Sequence, residues 1–161
     1  MIKNALLNRK CRALSKNQNN EHSTYRNASS IGILYNAAEF QNYLISDLIN
    51  SLEADGKTVA RLAFTEKDSE DRFSFCKKNV SMTGNLTKDS ISFFAQQRFD
   101  FLIALDLSGD MNFKYVLALS KASCKVGIDS ESINDFLLMS IKASENQSQN
   151  IKELIRYLKM I

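Results

Sequence analysis

The feature that most constrains the fold is a nearly continuous apolar run of nine residues, 99–107, with the sequence FDFLIALDL. Three polar or turn-forming residues follow it: Ser108, Gly109 and Asp110. A segment that is apolar on both faces is typical of a central strand in a parallel sheet covered by helices on each side. The run therefore predicts an α/β fold in which the other elements surround this strand.

Strand-like and helix-like segments alternate before this run. Residues 31–35 and 58–64 are short and apolar, as expected of strands, and residues 40–52 between them carry apolar side chains at helical spacing. Asn36, with Glu39 three residues later, matches a capping box that would begin this helix. Such a βαβ unit predicts two parallel strands joined by a right-handed crossover.

The remaining segments continue the alternation. Gly56 is placed to end the first helix, and Thr87 is placed to cap a second. Residues 135–141 follow the strand-like segment 125–128 too closely for a helical crossover, so they predict an antiparallel edge strand. The other predicted elements are a half-buried edge strand at 72–76, a helix at 111–122 and a last helix that begins at Ser148.

Together these elements predict a three-layer Rossmann-like α/β fold. The sheet is expected to be mostly parallel, with about five strands and with helices on both faces. A chain of 161 residues is long enough to bury a substantial core in one domain. The predicted organisation is a basic arm and polar linker at 1–30, followed by an α/β domain at 31–161.

The predicted domain as a whole resembles a family of uncharacterised bacterial proteins of about this length, a domain of unknown function. The residues that carry the resemblance are IGIL at 31–34, FDFLI at 99–103, VG at 126–127, FLLM at 136–139 and YLK at 157–159. This resemblance implies no activity.

A second resemblance covers only residues 99–129. The apolar run, the following helix rich in small and apolar residues, and KVGID at 125–129 are similar to the N-terminal half of heptosyltransferase-type glycosyltransferases. The resemblance implies a shared fold ancestry. It does not imply transferase activity, because those enzymes bind the nucleotide-sugar donor on a second Rossmann-like domain.

Charge is distributed unevenly along the chain. Residues 1–26 carry a net charge of +5, whereas the remaining residues carry −2. Lysine and arginine on a helical or flexible arm are sufficient to contact a phosphate backbone. The candidate partner-binding residues are therefore Lys3, Arg9, Lys10, Arg12 and Lys16, and the predicted partner is RNA or a ribonucleoprotein such as the ribosome.

Other interpretations of the arm remain open. It can be a helix that packs on its own domain, or it can bind a membrane surface, although it lacks aromatic anchors. Its composition also fits a mitochondrial transit peptide. The polar residues 17–20 can add hydrogen bonds to RNA, but ordinary polar linkers have the same composition.

The carboxyl ends of the predicted strands bring a second group of polar residues together. In doubly wound sheets ligands bind at this edge. The candidate crevice residues are Asn36, Glu39, Asp106, Ser108 and Asp110. Carboxylates predominate here, which disfavours nucleotide binding. A Mg²⁺ site on Asp106 and Asp110 is conceivable, but helix capping and chain turning explain the same residues and are favoured.

Common catalytic and metal-binding patterns are absent. The single histidine, His22, lies in the polar linker, and the three cysteines form no C-x-x-C pair. No G-x-S-x-G, P-loop or dinucleotide-binding glycine pattern occurs. We therefore expect no metal and no cofactor, and the unpaired cysteines favour a reducing cytoplasm.

These observations favour a non-enzymatic cytoplasmic binding protein that uses its basic arm. The alternative is a small-ligand-binding protein or an enzyme that uses the crevice and descends from a glycosyltransferase-like fold. The sequence leaves the choice between these classes and the oligomeric state open.

Overall fold

A computed structural model describes residues 2–16 and 24–161. The polar residues at 17–20 and His22 lie outside the described residues. Six parallel strands form one sheet in the order β3-β2-β1-β4-β5-β6. The strands are β1 (Ser30–Asn36), β2 (Thr58–Phe64), β3 (Ser74–Phe75), β4 (Phe101–Leu105), β5 (Cys124–Ile128) and β6 (Met139–Ile141).

Five α-helices lie in the described residues: α1 (Ile2–Ser15), α2 (Asn42–Ala54), α3 (Asp89–Gln96), α4 (Met111–Leu119) and α5 (Gln147–Leu158). Helices α2 and α5 contribute to the core on one face of the sheet, and α1, α3 and α4 contribute to the core on the other. The predicted three-layer Rossmann-like architecture is confirmed, with six strands rather than about five.

The apolar run forms the central strand β4, as predicted. All five of its residues are buried, and it pairs with β1 on one side and β5 on the other. Ile103 faces the core under α2 and α5, whereas its neighbours Leu102 and Ala104 face the core under α1, α3 and α4. The absence of polar residues from β4 follows from this double burial.

The last strand differs from its predicted form. Strand β6 is parallel to β5, not antiparallel, and it begins at Met139. The connection therefore spans residues 129–138 and includes a 3-10 turn at Asn134–Phe136. Phe136 is buried in the core shared with α1, α3 and α4, so the connection crosses that face before the chain returns parallel to β5.

Two predicted helix caps are also wrong. Asn36 ends β1, and the chain makes a turn through Phe40 before α2 begins at Asn42. Thr87 does not cap α3, which follows Lys88, but accepts a hydrogen bond from Asn79. Asn36 Oδ1 accepts the N–H of Ala38 within the separate turn before α2, and its Nδ2 donates to the segment that follows β4. Gly56, with φ of 80°, follows α2 in the predicted left-handed conformation.

Helix α1 packs against α4. Leu7 and Cys11 on its inner face are fully buried in the core shared with α3 and α4. Lys3 Nζ donates to the carbonyl oxygen of Lys77 at 2.6 Å, and Lys10 Nζ donates to that of Thr83. These contacts attach the basic helix to the α/β domain along its length.

We expect Leu7→Ala to lower the free energy of unfolding by about 2–3 kcal/mol, because it removes buried methyl groups and leaves a cavity between α1 and α4. The neighbouring Leu6 is 40% exposed, so Leu6→Ala provides a control with the same chemical change and should cost less than about 0.5 kcal/mol. Urea denaturation of both variants measures the difference. Equal stabilities would show that α1 is not held on the domain.

Candidate functional site

The strand order creates a topological switch point between β1 and β4. From β1 the chain continues towards β2 and β3, whereas from β4 it continues towards β5 and β6. Ligands of open α/β sheets bind beyond the carboxyl ends of the strands at this point. A cleft of about 500 Å³ lies there, lined by Asn36, Ala38, Glu39, Phe64, Thr65, Glu66, Lys77, Ser108 and Asp110.

Asp106, which follows β4, is fully buried beside this cleft. Its carboxylate accepts hydrogen bonds from Asn36 Nδ2 at 2.9 Å, Ser108 Oγ at 2.8 Å and the backbone N–H of Gly109 at 2.9 Å. Gly109 has φ of 70°, which permits the tight turn that returns its N–H to Asp106. The carboxylate therefore has the partners that a buried charge needs.

Two further carboxylates of the predicted crevice also have structural partners. Glu39 Oε1 accepts the backbone N–H of Leu107 at 2.9 Å. Burial raises the pKa of Glu39, and the nearby Asp106 adds to the rise. Asp110 caps α4 by accepting the N–H of Asn112 at 2.7 Å and that of Phe113 at 3.4 Å. The capping interpretation of Asp110 is thus supported by its geometry.

The fold brings the five predicted crevice residues together but uses them to connect β1, β4 and α4. Within residues 2–16 and 24–161, no group of three or more His, Cys, Asp or Glu side chains could hold a metal ion. The three cysteines are free and buried. Burial raises the pKa of the Cys11 thiol and raises that of Cys124 to about 11, which disfavours a reactive thiolate at either position.

The basic residues of α1 separate into two groups. Lys3 and Lys10 donate to carbonyl groups of the segment 77–83, as described above. Arg9 and Arg12 on α1 and Lys16 directly after it are exposed, and their spacing of three and four residues continues one side of the helix. These three residues, here called the basic stripe, lie opposite the buried Leu7 and Cys11.

The basic stripe is free of neutralising contacts within the described residues. The ion pairs there join Arg156 to Glu153 and Lys159 to Asp55, both distant from α1. No described side chain forms a hydrogen bond with the charged groups of Arg9, Arg12 or Lys16. The stripe therefore presents three positive charges to the solvent.

Sequence reasoning missed additional cations that the fold brings next to α1. Lys77 and Lys78 are exposed on the 3-10 turn Lys77–Asn79, which Lys3 contacts. Lys114 on α4 donates to Asn8 Oδ1 at 3.3 Å. Nothing in the local sequence indicates these positions, because they depend on how α1 docks on the domain.

Sequence reasoning also missed Lys125. This lysine on β5 is 1% exposed, and its Nζ has no hydrogen-bond partner among the described residues. Burial lowers its pKa to about 7. It does not line the cleft, and its position within an apolar strand provided no signal apart from the charge itself.

Comparison with known proteins identifies one relationship. Residues 3–161 match the sequence pattern of DUF6913, a family of unknown function. This range includes α1 as well as the α/β domain. No curated protein and no solved structure matches the chain significantly.

Proposed function

The chain belongs to this family of unknown function, and we propose that it is a non-enzymatic cytoplasmic protein that binds RNA, free or in a ribonucleoprotein, through α1. The observation that carries the proposal is the basic stripe of Arg9, Arg12 and Lys16. All three side chains are exposed and have no acidic partner among the described residues. Phosphate oxygens of RNA would provide the negatively charged partners that these three side chains lack within the described residues.

The helix gives the stripe a defined shape. Lys16 is seven positions after Arg9 and directly follows Ser15, the last residue of α1, so the stripe extends over about 10 Å along the helix axis. Burial of Leu7 and Cys11 fixes the helix on the domain, so the three side chains face outward without a large ordering cost for the backbone. Lys77 and Lys78 extend the positive surface beyond α1.

The cleft supports a small-ligand or enzymatic function less well. Two of its three lining carboxylates, Glu39 and Asp110, already accept the N–H of Leu107 and N–H groups of the first turn of α4. Lys77 is the one cation among the lining residues, against three carboxylates. An anionic ligand would therefore meet net repulsion.

Membrane binding is also less well supported. Ile2 and Leu6 are the exposed large apolar side chains of α1, and the described helix has no aromatic residue to anchor it in an interface. None of the described helices has the length and apolar character needed to cross a membrane.

The test is the salt dependence of RNA binding by the full chain. With three to five phosphate contacts, the logarithm of the binding constant for a labelled 20-nucleotide oligouridine should fall with log salt concentration with a slope of roughly −2 to −3.5. Replacing Arg9, Arg12 and Lys16 together by Gln removes about three contacts. The slope should then become shallower by about 2, as measured by fluorescence anisotropy.

A control variant distinguishes the stripe from net charge. Lys142, directly after β6, and Lys152 and Arg156 on α5 are exposed and away from α1, and their joint replacement by Gln removes the same total charge. This control should retain the original slope. Equal losses in both variants, or RNA binding that does not depend on salt, would contradict the proposal.

A further inference from the structure

Strand β2 has a partly unpaired edge. It pairs with β1 over its full length of seven residues, but with β3 only at Ala63 and Phe64. On that outer side the N–H of Ala63 donates to Phe73 at 2.8 Å. Because backbone groups alternate along a strand, the N–H and C=O of Val59 and Arg61 also point outward. None of the described residues bonds to these four groups.

An apolar groove of about 510 Å³ runs beside this edge, between β2 and α3. Two aromatic side chains at the groove are exposed, Phe73 by 45% and Phe93 by 70%. Ser90 Oγ in its wall is buried and has no hydrogen-bond partner among the described residues. Exposed aromatics next to unpaired backbone are features of a surface that binds an extended chain.

We propose that the edge of β2 and this groove bind an extended acidic peptide segment of a partner protein by strand addition. The proposal does not depend on RNA binding by α1. The peptide backbone bonds to Val59 and Arg61, and its side chains alternate between the two faces of the sheet. Apolar side chains enter the groove beside α3, and acidic side chains lie on the opposite face with Arg61.

Charge identifies the partner as acidic. Arg61 lies on the edge strand and Arg72 lies beside the groove, and neither forms an ion pair with a described residue. Arg61 alternates with Ala60 and Leu62 along β2, so it lies on the face away from the groove wall that contains Asp89. In a peptide that alternates acidic and apolar residues, the acidic side chains would lie on the Arg61 face of β2 and the apolar side chains would enter the groove.

The same charges disfavour a second copy of this chain as the occupant. Antiparallel pairing of two β2 edges centred on residue 61 would place Arg61 of one copy directly opposite Arg61 of the other. Like charges directly opposite each other across paired strands are destabilising. Self-association through this edge is therefore an outcome that the experiment must exclude.

The probe is the peptide acetyl-Glu-Val-Glu-Phe-Glu-Val-Glu-amide, titrated into the full chain labelled with ¹⁵N. We expect a Kd of about 10–100 μM, typical of short peptide segments. Hydrogen exchange at the amides of Val59 and Arg61 should slow at least about tenfold on binding, because both groups become bonded. No binding at about 1 mM peptide would overturn the proposal.

Three variants test the stated geometry. Arg61→Glu should weaken binding at least about tenfold, and a peptide with Lys in place of each Glu should restore it. Phe93→Asp should weaken binding of the original peptide by a similar factor. Tyr157→Asp on α5 is the control, since Tyr157 is 38% exposed beside β6 at the other edge of the sheet, and it should leave Kd unchanged.

Either of two results would overturn the proposal. One is peptide affinity that is unchanged in both Arg61→Glu and Phe93→Asp. The other is a concentration-dependent dimer in sedimentation experiments that Phe93→Asp dissociates, because it would assign the edge to a second copy of the chain.

Discussion

Replacing Lys125 by Met is expected to stabilise the protein by about 2–4 kcal/mol at pH 7. The Nζ of Lys125 is buried on β5 without a hydrogen-bond partner among the described residues, and burial lowers its pKa to about 7. The pKa of Lys125 is 10.5 in the unfolded chain and about 7 in the folded protein. This difference corresponds to an upper limit of roughly 5 kcal/mol for the cost of burying the charged ammonium group. Methionine has a similar length and requires no such partner.

The pH dependence has a definite sign. Between pH 7 and 10.5 the unfolded chain binds more protons at Lys125 than the folded protein, so this residue makes stability rise with pH in that window. Below pH 7 the lysine is protonated in both states and its cost is constant. The stability difference between Lys125→Met and the original protein should therefore shrink as pH rises from 7 to 9.5, measured by urea denaturation.

Lys57 provides a matched control of opposite sign. It is also buried, but its Nζ donates to the carbonyl oxygens of Tyr25 at 2.7 Å and Ala28 at 2.6 Å. Lys57→Met leaves those acceptors unpaired and should destabilise the protein by about 1–3 kcal/mol. Destabilisation by Lys125→Met as well would show that the Lys125 ammonium has a favourable partner, and the prediction would be wrong.

Ile103→Ala is expected to lower the free energy of unfolding by about 2–5 kcal/mol. Ile103 is fully buried in β4, with Ile33 of β1 and Val126 of β5 as its neighbours in register. A cavity at the centre of a sheet covered on both faces has little freedom to collapse. Denaturation with urea measures the loss.

The same substitution at an exposed position is the control for this experiment. Ile2 is 69% exposed on α1, so Ile2→Ala should change stability by less than about 0.5 kcal/mol. A loss below about 0.5 kcal/mol for Ile103→Ala too would mean that this side chain contributes no packing at the centre of the sheet.

The central strand was predictable because its signal is local. Nine consecutive residues contain enough apolar side chains to require burial on both faces, whatever lies beside them. The antiparallel prediction for β6 failed because it depended on where the strand begins. Residues 136–138 are apolar, as a strand would be, but Phe136 enters the core from a 3-10 turn instead.

For the candidate sites, the sequence predicted which residues come together but not the hydrogen bonds that they form. The carboxyl ends of adjacent parallel strands bring Asn36 and Asp106 together, which the strand order alone implies. The prediction that Asn36 caps α2 failed because α2 begins only at Asn42, after a separate turn. In that turn Asn36 Oδ1 accepts the N–H of Ala38, while its Nδ2 donates to Asp106. Likewise, the sequence predicted the same partner-binding role for Lys3 and Arg9. Only the packing of α1 on the domain shows that Lys3 donates to the carbonyl oxygen of Lys77 while Arg9 is exposed to solvent.

The packing of α1 on α4 has a consequence for biosynthesis. The buried Leu7 is translated about a hundred residues before the helix that covers it, so at 5–20 residues per second it waits about 5–20 s for its partner. A single helix of 14 residues is only marginally stable alone in water. The basic segment therefore emerges from the ribosome as an unprotected, positively charged chain, and it reaches its final conformation only after most of the sheet has been translated.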